Sequence, residues 1–159
     1  MTPVWTQIVA LANLLPADDE QNELDSYMYQ TVGHQIDISY AKCMGIPLFR
    51  KRIQGSSRHQ SLSYIMTPGD EVEDMFILLS KVKKRIPSVS AVSSGAIASD
   101  YQRLRVESVC SRLGLFSLAY LWKQDQLFLL QQMISSGIVA IIVKLHRLGW
   151  TLQNTWGKK

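Results

Sequence analysis

The 159-residue chain is poor in several residue types, and each scarcity excludes a class of protein. Two cysteines, Cys43 and Cys110, are too few for the disulfide framework of a small secreted domain, and they lack metal-site spacing. No Lys or Arg precedes Lys42, so the apolar run 8–15 lacks the positive flank of a signal peptide. The longest apolar run, 138–143, is too short to cross a bilayer. We therefore expect a cytoplasmic protein with reduced core thiols and no membrane contact.

A strong excess of one charge is also missing. The formal net charge is +4, with 47% hydrophobic and 19% charged residues, which is ordinary for one soluble domain. Basic residues cluster at 50–52 and 81–85, while acidic runs at 18–25 and 70–74 offset them. The pattern does not imply a nucleic-acid groove, and we expect no nucleic-acid partner.

Short apolar runs alternate with amphipathic stretches along the chain, which is typical of an α/β sheet. We predict strands near 8–14, 48–53, 89–92, 118–121 and 138–143. We predict helices that end at Gly45, run through 72–79, begin after Ser99 and cover 125–135. The run 138–143 has no polar alternation, so we expect a parallel strand buried on both faces. The predicted fold class is an open, mostly parallel α/β sheet with flanking helices.

An acidic cluster of Asp70, Glu71, Glu73 and Asp74 opens the second of these helices, and basic residues close it. This order complements the helix dipole, so we interpret the acids as a solvated, well-capped helix start. A metal-binding cluster is the alternative, but carboxylates at this spacing are common on helices.

The segment 93–115 reads SSGAIASDYQRLRVESVCSRLGL. Ser99 and Gln102 have the S-x-x-Q spacing of a capping box, and Arg103 and Glu107 have the i, i+4 spacing of a helical ion pair. Gly95 follows a predicted strand, at the edge where open α/β sheets bind ligands, and the helix start beside it favours an anion. An ordinary strand-to-helix connection explains the same residues, and both interpretations stay open.

Five motifs together resemble one family. The segment GAIASDYQRLRVESVCSRLGL, followed by LAYLW, closely resembles a signature of the diphthine–ammonia ligase family. IVALANLLP, ELDSYMYQTVGHQ, IPLFRKRI and GDEVEDM also look like that family in the same order, so the resemblance runs from about Gln7 to about Gly149. It implies an adenine nucleotide alpha hydrolase-like, Rossmann-like fold. Residues 1–149 would form a partial ATP pyrophosphatase-type nucleotide-binding domain, and residues 150–159 a C-terminal tail.

The resemblance also implies a reaction, the ATP-dependent, AMP-forming amidation of diphthine on translation elongation factor 2 to diphthamide. ATP with Mg²⁺, ammonia and the diphthine-modified factor would be the cofactors and partners, and no set of metal ligands is assigned. Matching positions imply catalytic roles for Asp100, Arg103 and Arg105, and substrate contacts from His34 and Glu107. They imply nucleotide contacts from Ala12, Asn13, Gly95, Ser99, Tyr101 and Gln102.

Several of these assignments have a plain structural alternative. Arg103 and Glu107 would pair with each other on the helix surface. Ala12 and Asn13 would simply end a buried strand, and His34 would be a helix cap or a surface residue.

The chain departs from the family at its start, where the family has a strand, an S-G-G-K-D-S phosphate loop and a helix. This chain has MTPVWT there and no Gly-Gly dipeptide anywhere, and it ends before the family's second domain. The absent strand is central in the family's sheet, so we expect a marginal fold unless the two unpaired edges close on each other. We expect a catalytically incomplete member, with a non-catalytic interaction protein as the alternative. A flavodoxin-like binder ranks last because ANLLPADDE places acids where phosphate would bind.

Overall fold

The computed structural model describes residues 7–18, 26–29, 31 and 33–140. Its elements are β1 (Leu11–Leu15), α1 (Asp37–Met44), β2 (Leu48–Arg52), α2 (Glu71–Arg85), β3 (Ala91–Ser93), α3 (Asp100–Arg112), β4 (Phe116–Leu118) and α4 (Gln126–Ser135). This alternation confirms the predicted α/β class. All elements from β1 to β4 lie in one compact unit that ends at Asp125, and α4 belongs to a second unit.

The four strands form two separate parallel pairs. β1 pairs with β2, with Leu11 opposite Leu48, and β3 pairs with β4, with Ala91 opposite Phe116. Within the described part of the chain, no strand joins the two pairs. The facing edges therefore do not close on each other, which is the condition under which we expected a marginal fold.

Helices α2 and α3 supply most of the hydrophobic core. The buried cluster contains Met28, Val72, Met75, Leu79, Val106, Val109, Cys110 and Leu115. Val72 and Val109 are completely inaccessible to solvent. Burial of a side chain of this size contributes about 1.5–3 kcal/mol, so the predicted apolar stripe of α2 is what fixes this helix on the core.

The predicted helix boundaries are confirmed at three places. Gly45 ends α1 in the left-handed conformation with a φ of 64°, which a glycine adopts without a Cβ clash. Asp70 caps α2, and its carboxylate accepts a 3.0 Å hydrogen bond from the Val72 amide. Ser99 caps α3 by accepting from the Gln102 amide at 3.3 Å. The reciprocal half of a capping box is not formed, because the Gln102 side chain donates to the Tyr27 carbonyl at 3.2 Å.

The sequence predictions for the burial of Cys43 and of the run 138–143 are wrong. Cys43 is exposed rather than in the core, whereas Cys110 is buried. Ile138 and Val139 lie in irregular backbone and are 55% and 96% exposed, so this part of the predicted strand 138–143 is neither extended in a sheet nor covered. Residues 141–143 lie outside the described residues. A strand buried on both faces needs neighbours on each side, and the apolar composition of a run cannot supply them.

The fourth strand begins earlier than predicted. β4 covers Phe116–Leu118, because the chain turns sharply at Gly114, which has a φ of 61°. The Leu115 amide then donates to the Cys110 carbonyl at 2.9 Å and starts the strand directly after α3. No helix within the described ranges has the length and apolar character needed to cross a membrane.

Candidate functional site

A cleft of about 1000 Å³ separates the two strand pairs. It is lined by residues of α2, α3 and β4, and by β1 and β3 with the residues that flank them. The lining includes Ala12, Gly95 and Gln102 from the predicted site. None of the described residues that line it is charged, so these residues do not offer a counter-charge to a triphosphate. Of the predicted nucleotide residues, only these three reach this space.

Ala12 and Asn13 lie in the interior of β1, because the strand continues to Leu15. The alternative interpretation, in which these two residues end a buried strand, is therefore wrong. Gly95 lies two residues beyond the end of β3, and a Cβ added there would meet no atom within 4 Å. The backbone at Gly95 is thus open to a ligand.

The start of α3 carries a small network of charges. Arg103 lies 3.6 Å from the Asp100 carboxylate and also pairs with Glu107 one turn later. Its guanidinium lies 4.8 Å from the centre of the Trp122 ring. The helix-surface pair named as an alternative is therefore present. Whether Arg103 also binds an anion stays a prediction.

Arg105 is completely buried and contacts backbone carbonyls. Its guanidinium donates to the carbonyl oxygens of His59, Ser61 and Tyr101, the last two at 3.0 and 3.1 Å. It also lies 3.3 Å from the centre of the Tyr101 ring. Tyr101 in turn is within hydrogen-bonding distance of the Ser57 hydroxyl at 3.1 Å. These contacts make Arg105 and Tyr101 a clamp that holds the loop 54–63 on α3, a role that the resemblance did not imply.

The acidic start of α2 is buried rather than solvated, which corrects the sequence interpretation. Asp70, Glu71 and Asp74 are 1%, 3% and 5% exposed. Asp70 accepts two backbone amides of the loop 54–63 at 3.0 Å, in addition to its helix cap. Asp74 accepts two more at 2.8 Å and forms a 2.8 Å ion pair with Lys51. A loop without regular pairing needs acceptors for its amides, and these carboxylates supply them.

Glu71 is the third buried acid, and its surroundings differ. Its carboxylate accepts a 2.8 Å hydrogen bond from the Ser26 hydroxyl, and its carbonyl accepts one from Tyr29 at 3.1 Å. Burial raises the pKa of Glu71, although the Ser26 hydrogen bond opposes the shift. Burial, with the nearby Glu71 charge second, also raises the pKa of Tyr29 well above its ordinary value. The described residues hold no group of three or more His, Cys, Asp or Glu that could bind a metal ion.

Arg50, which the sequence analysis did not assign to the site, connects two predicted site residues, Asn13 and His34. Arg50 donates to the Asn13 side chain at 3.3 Å and to the His34 carbonyl at 3.1 Å. Its Nη2 also lies 3.2 Å from His34 Nδ1. His34 is 7% exposed, so the expectation of a surface histidine is wrong, and it does not line the cleft. The parallel pairing of β1 with β2 sets Asn13 opposite Arg50. The sequence could have indicated this cluster only if that strand pairing had been known.

The described residues do not fit a bound triphosphate with Mg²⁺. The cleft lining is uncharged, Arg105 is committed to carbonyl groups, and Arg103 has two acidic neighbours. The part that fits an anionic group is smaller, namely the first turn of α3 beside Gly95. The amides of Asp100 and Tyr101 precede the first intrahelical bonds and carry the positive end of the helix dipole.

Residues 15–117 match the family model described as the diphthamide synthase N-terminal domain. A diphthine–ammonia ligase of Danio rerio is 58% identical over 143 residues, which cover 89% of this chain and 56% of the relative. The Homo sapiens diphthine–ammonia ligase is 52% identical over 154 residues, covering 96% of this chain and 57% of the relative. One from Schizosaccharomyces pombe is 50% identical over 145 residues, covering 91% of this chain but 24% of the relative. The chain thus spans little more than half the length of its vertebrate relatives, and less of the yeast one.

Proposed function

Because the chain belongs to the diphthamide synthase N-terminal domain family, we propose that it serves the ATP-dependent amidation of diphthine on elongation factor 2. The name of the related ligases indicates ammonia as the co-substrate, and the description of the family model indicates diphthamide as the product. The observation that carries the proposal is the family match over 15–117, which includes β2, β3, the first two residues of β4 and only the last residue of β1, Leu15. The cytoplasm is the compartment we expect for this reaction.

The chain's own contribution would lie at the start of α3. The Ser99 cap uses the Gln102 amide, which leaves the amides of Asp100 and Tyr101 for an anionic oxygen. Gly95 would let that group approach the backbone, and Arg103 would add a cation that is already held in place by Asp100. ATP, when bound, would supply the leaving group that activates the carboxylate.

On its own the chain would be catalytically incomplete. No Gly-Gly dipeptide occurs in the sequence, and the lining residues that the structure describes hold no charge to balance that of pyrophosphate. The non-catalytic alternative, an interaction protein that keeps part of the cleft, is favoured by the same two observations.

Calorimetric titration of the folded chain with ATP and Mg²⁺ tests this proposal. Because the start of α3 fits one anionic group but not the whole triphosphate with Mg²⁺, we expect only weak, saturable binding through a single phosphate, which Arg103→Gln weakens about tenfold, or roughly 1.4 kcal/mol. The matched control is Arg112→Gln, which removes a guanidinium from the other end of the same helix, where it pairs with Glu73. Equal loss in both variants would rule out a site at the start of α3. No binding by a folded chain would favour the non-catalytic alternative.

A second assay tests the predicted incompleteness. The chain is incubated with diphthine-modified elongation factor 2, ATP, Mg²⁺ and ¹⁵N-labelled ammonia, and the factor is analysed by mass spectrometry. We expect no labelled amide from this chain alone. Multiple-turnover formation of labelled diphthamide would contradict the incompleteness and leave the family reaction standing.

A further inference from the structure

Residues 56–70 form a segment that closes on itself. Its two ends meet in a parallel bridge between Ser56 and Asp70, where the Ser56 amide donates to the Gly69 carbonyl at 3.1 Å. A Cβ at Gly55 would lie 2.6 Å from the Asp70 carbonyl carbon, so only glycine permits this approach. A compact segment whose ends are in contact is an Ω-loop, a class that is frequently functional, and we refer to residues 56–70 as the Ω-loop.

Polar contacts tie the Ω-loop to two helices. The Arg105 guanidinium of α3 donates to the carbonyls of His59 and Ser61. In addition, the Tyr64 hydroxyl donates to the Glu73 carboxylate of α2 at 2.8 Å. Because the backbone of the Ω-loop is already fixed by these contacts, a partner that binds it does not have to order it first.

Large apolar side chains of the same Ω-loop lie in solvent. Leu62, Ile65 and Met66 are 59%, 66% and 61% exposed, and they fall within five consecutive residues. We refer to these three side chains as the apolar tip. Arg58 of the Ω-loop is also exposed, and methionine and arginine are both enriched at protein interfaces. Exposed apolar side chains gathered on a fixed backbone are typical of a surface that another protein covers.

One side chain links the Ω-loop directly to the start of α3. The Tyr101 hydroxyl lies 3.1 Å from the Ser57 hydroxyl and donates to the His59 carbonyl at 3.3 Å. The amide of the same Tyr101 is one of the two that we assign to an anionic oxygen. The substrate of the proposed reaction is a side chain on a folded protein, so that protein must contact this chain around the start of α3 when its carboxylate binds there. The Ω-loop is fixed beside that point.

We propose that the apolar tip is the surface on which the protein that carries the diphthine residue docks. The identity of this partner, elongation factor 2, rests on the proposed function. The apolar tip contacts the folded surface around the modified histidine, while the start of α3 receives the side chain itself. The two surfaces therefore recognise different things, and a short peptide that carries diphthine uses only the second.

Calorimetric titration of the full 159-residue chain tests the proposal. The probes are elongation factor 2 with diphthine, the same factor with its histidine unmodified, and a short peptide that carries the diphthine residue. The test variant combines Leu62→Ser, Ile65→Ser and Met66→Ser. We expect it to bind the modified factor about thirtyfold more weakly than the unchanged chain does, because apolar anchors carry most of the affinity of an interface. Its affinity for the peptide should stay the same.

The matched control makes the same kind of change on α4, where three apolar side chains are similarly exposed. It combines Leu127→Ser, Leu130→Ser and Ile134→Ser, whose side chains are 64%, 54% and 63% exposed. This control should bind the factor within about twofold of the unchanged chain, since scattered exposed apolar residues are normal. If the test variant loses its far-UV circular dichroism signal, Ile65→Asp replaces it, because one charge is enough to disrupt an apolar contact.

The outcomes separate this proposal from the proposed function. Equal weakening in the test variant and the control, weaker binding of the peptide, or no binding of either form of the factor by the folded chain would overturn the docking surface. Self-association that the test variant abolishes would make a second copy the occupant and also overturn it. Binding that diphthine strengthens but the test variant does not weaken would overturn the docking surface and leave the proposed function standing. If the test variant weakens both forms of the factor and diphthine makes no difference, the docking surface stands and the proposed function fails.

Discussion

The clamp formed by Arg105 allows a sharp prediction, because it gives a structural role to a residue for which the resemblance implies a catalytic one. Arg105→Met keeps most of the side-chain volume and removes the three charge-assisted hydrogen bonds to the carbonyls of His59, Ser61 and Tyr101. The carbonyls of His59 and Ser61 in the loop 54–63, and that of Tyr101 in α3, then lose the guanidinium donor. We expect the loop to detach from α3 and the free energy of unfolding to fall.

The magnitude follows from the contacts. A hydrogen bond from a charged donor contributes about 1.5–3 kcal/mol, so three give a ceiling of about 4.5–9 kcal/mol. The substitution also removes the cost of burying the cation, and contacts in one network do not add fully. We therefore expect a loss of about 3–5 kcal/mol, which is a large share of the roughly 5–15 kcal/mol that stabilises a typical domain.

Urea unfolding followed by far-UV circular dichroism measures this loss. The matched control is Arg103→Met, the same change two residues earlier on α3, where the side chain is 24% exposed and pairs with Asp100 and Glu107. Partly exposed ion pairs contribute about 1 kcal/mol or less, so the control should lose far less stability. A loss below about 1 kcal/mol in Arg105→Met, or one no larger than in Arg103→Met, would refute the clamp.

Two further predictions concern pH and thiol chemistry. Hydrogen bonds from Arg112 hold the pKa of Glu73 below its ordinary 4.5, so the pair stabilises the fold above that pH and loses this contribution as pH falls through the folded pKa. Urea unfolding should therefore show Glu73→Gln less stable by about 1 kcal/mol or less near pH 7, with a difference from wild type that shrinks as the pH falls below 4.5, and a constant difference would contradict the pair. Burial raises the pKa of Cys110 to about 11, whereas Cys43 is exposed, so iodoacetamide near neutral pH should alkylate only Cys43 in the folded chain. Peptide mass spectrometry checks this, and equal labelling of both thiols would show that the core around Cys110 opens.

Local patterns predicted the helices well. The end of α1 at Gly45, the Asp70 cap of α2 and the Ser99 cap of α3 depend on hydrogen bonds that reach only two to four residues along the chain. Such bonds are encoded by residues within one turn, so the sequence states them directly. The strand ends were less accurate, because β4 starts where Gly114 allows the turn and not where the apolar run suggests.

Burial of polar groups could not be predicted in the same way. The acids that open α2 fit a solvated helix start by spacing alone, yet Asp70 and Asp74 reach loop amides 11 to 20 residues earlier. Arg105 pairs with carbonyls more than 40 residues away, and Arg50 joins Asn13 to His34 across a strand pair. These partners meet only after the loops close, and an amino-acid sequence without strand pairing does not specify which polar groups face each other.

By itself the sequence determined the α/β class, the helices with their caps, and the motifs that identify the family, because each depends on residues close together in the chain or on resemblance. The tertiary structure decided that Arg105 clamps a loop, that the acids at the start of α2 are buried, and that Cys43 is exposed. It also decided that, among the residues the structure describes, no strand joins the two parallel pairs and no charged residue lines the cleft between them. The physical reason is that burial and strand pairing arise only when distant segments of the chain come together. The free energy of such an arrangement depends on which backbone and polar groups it leaves unpaired.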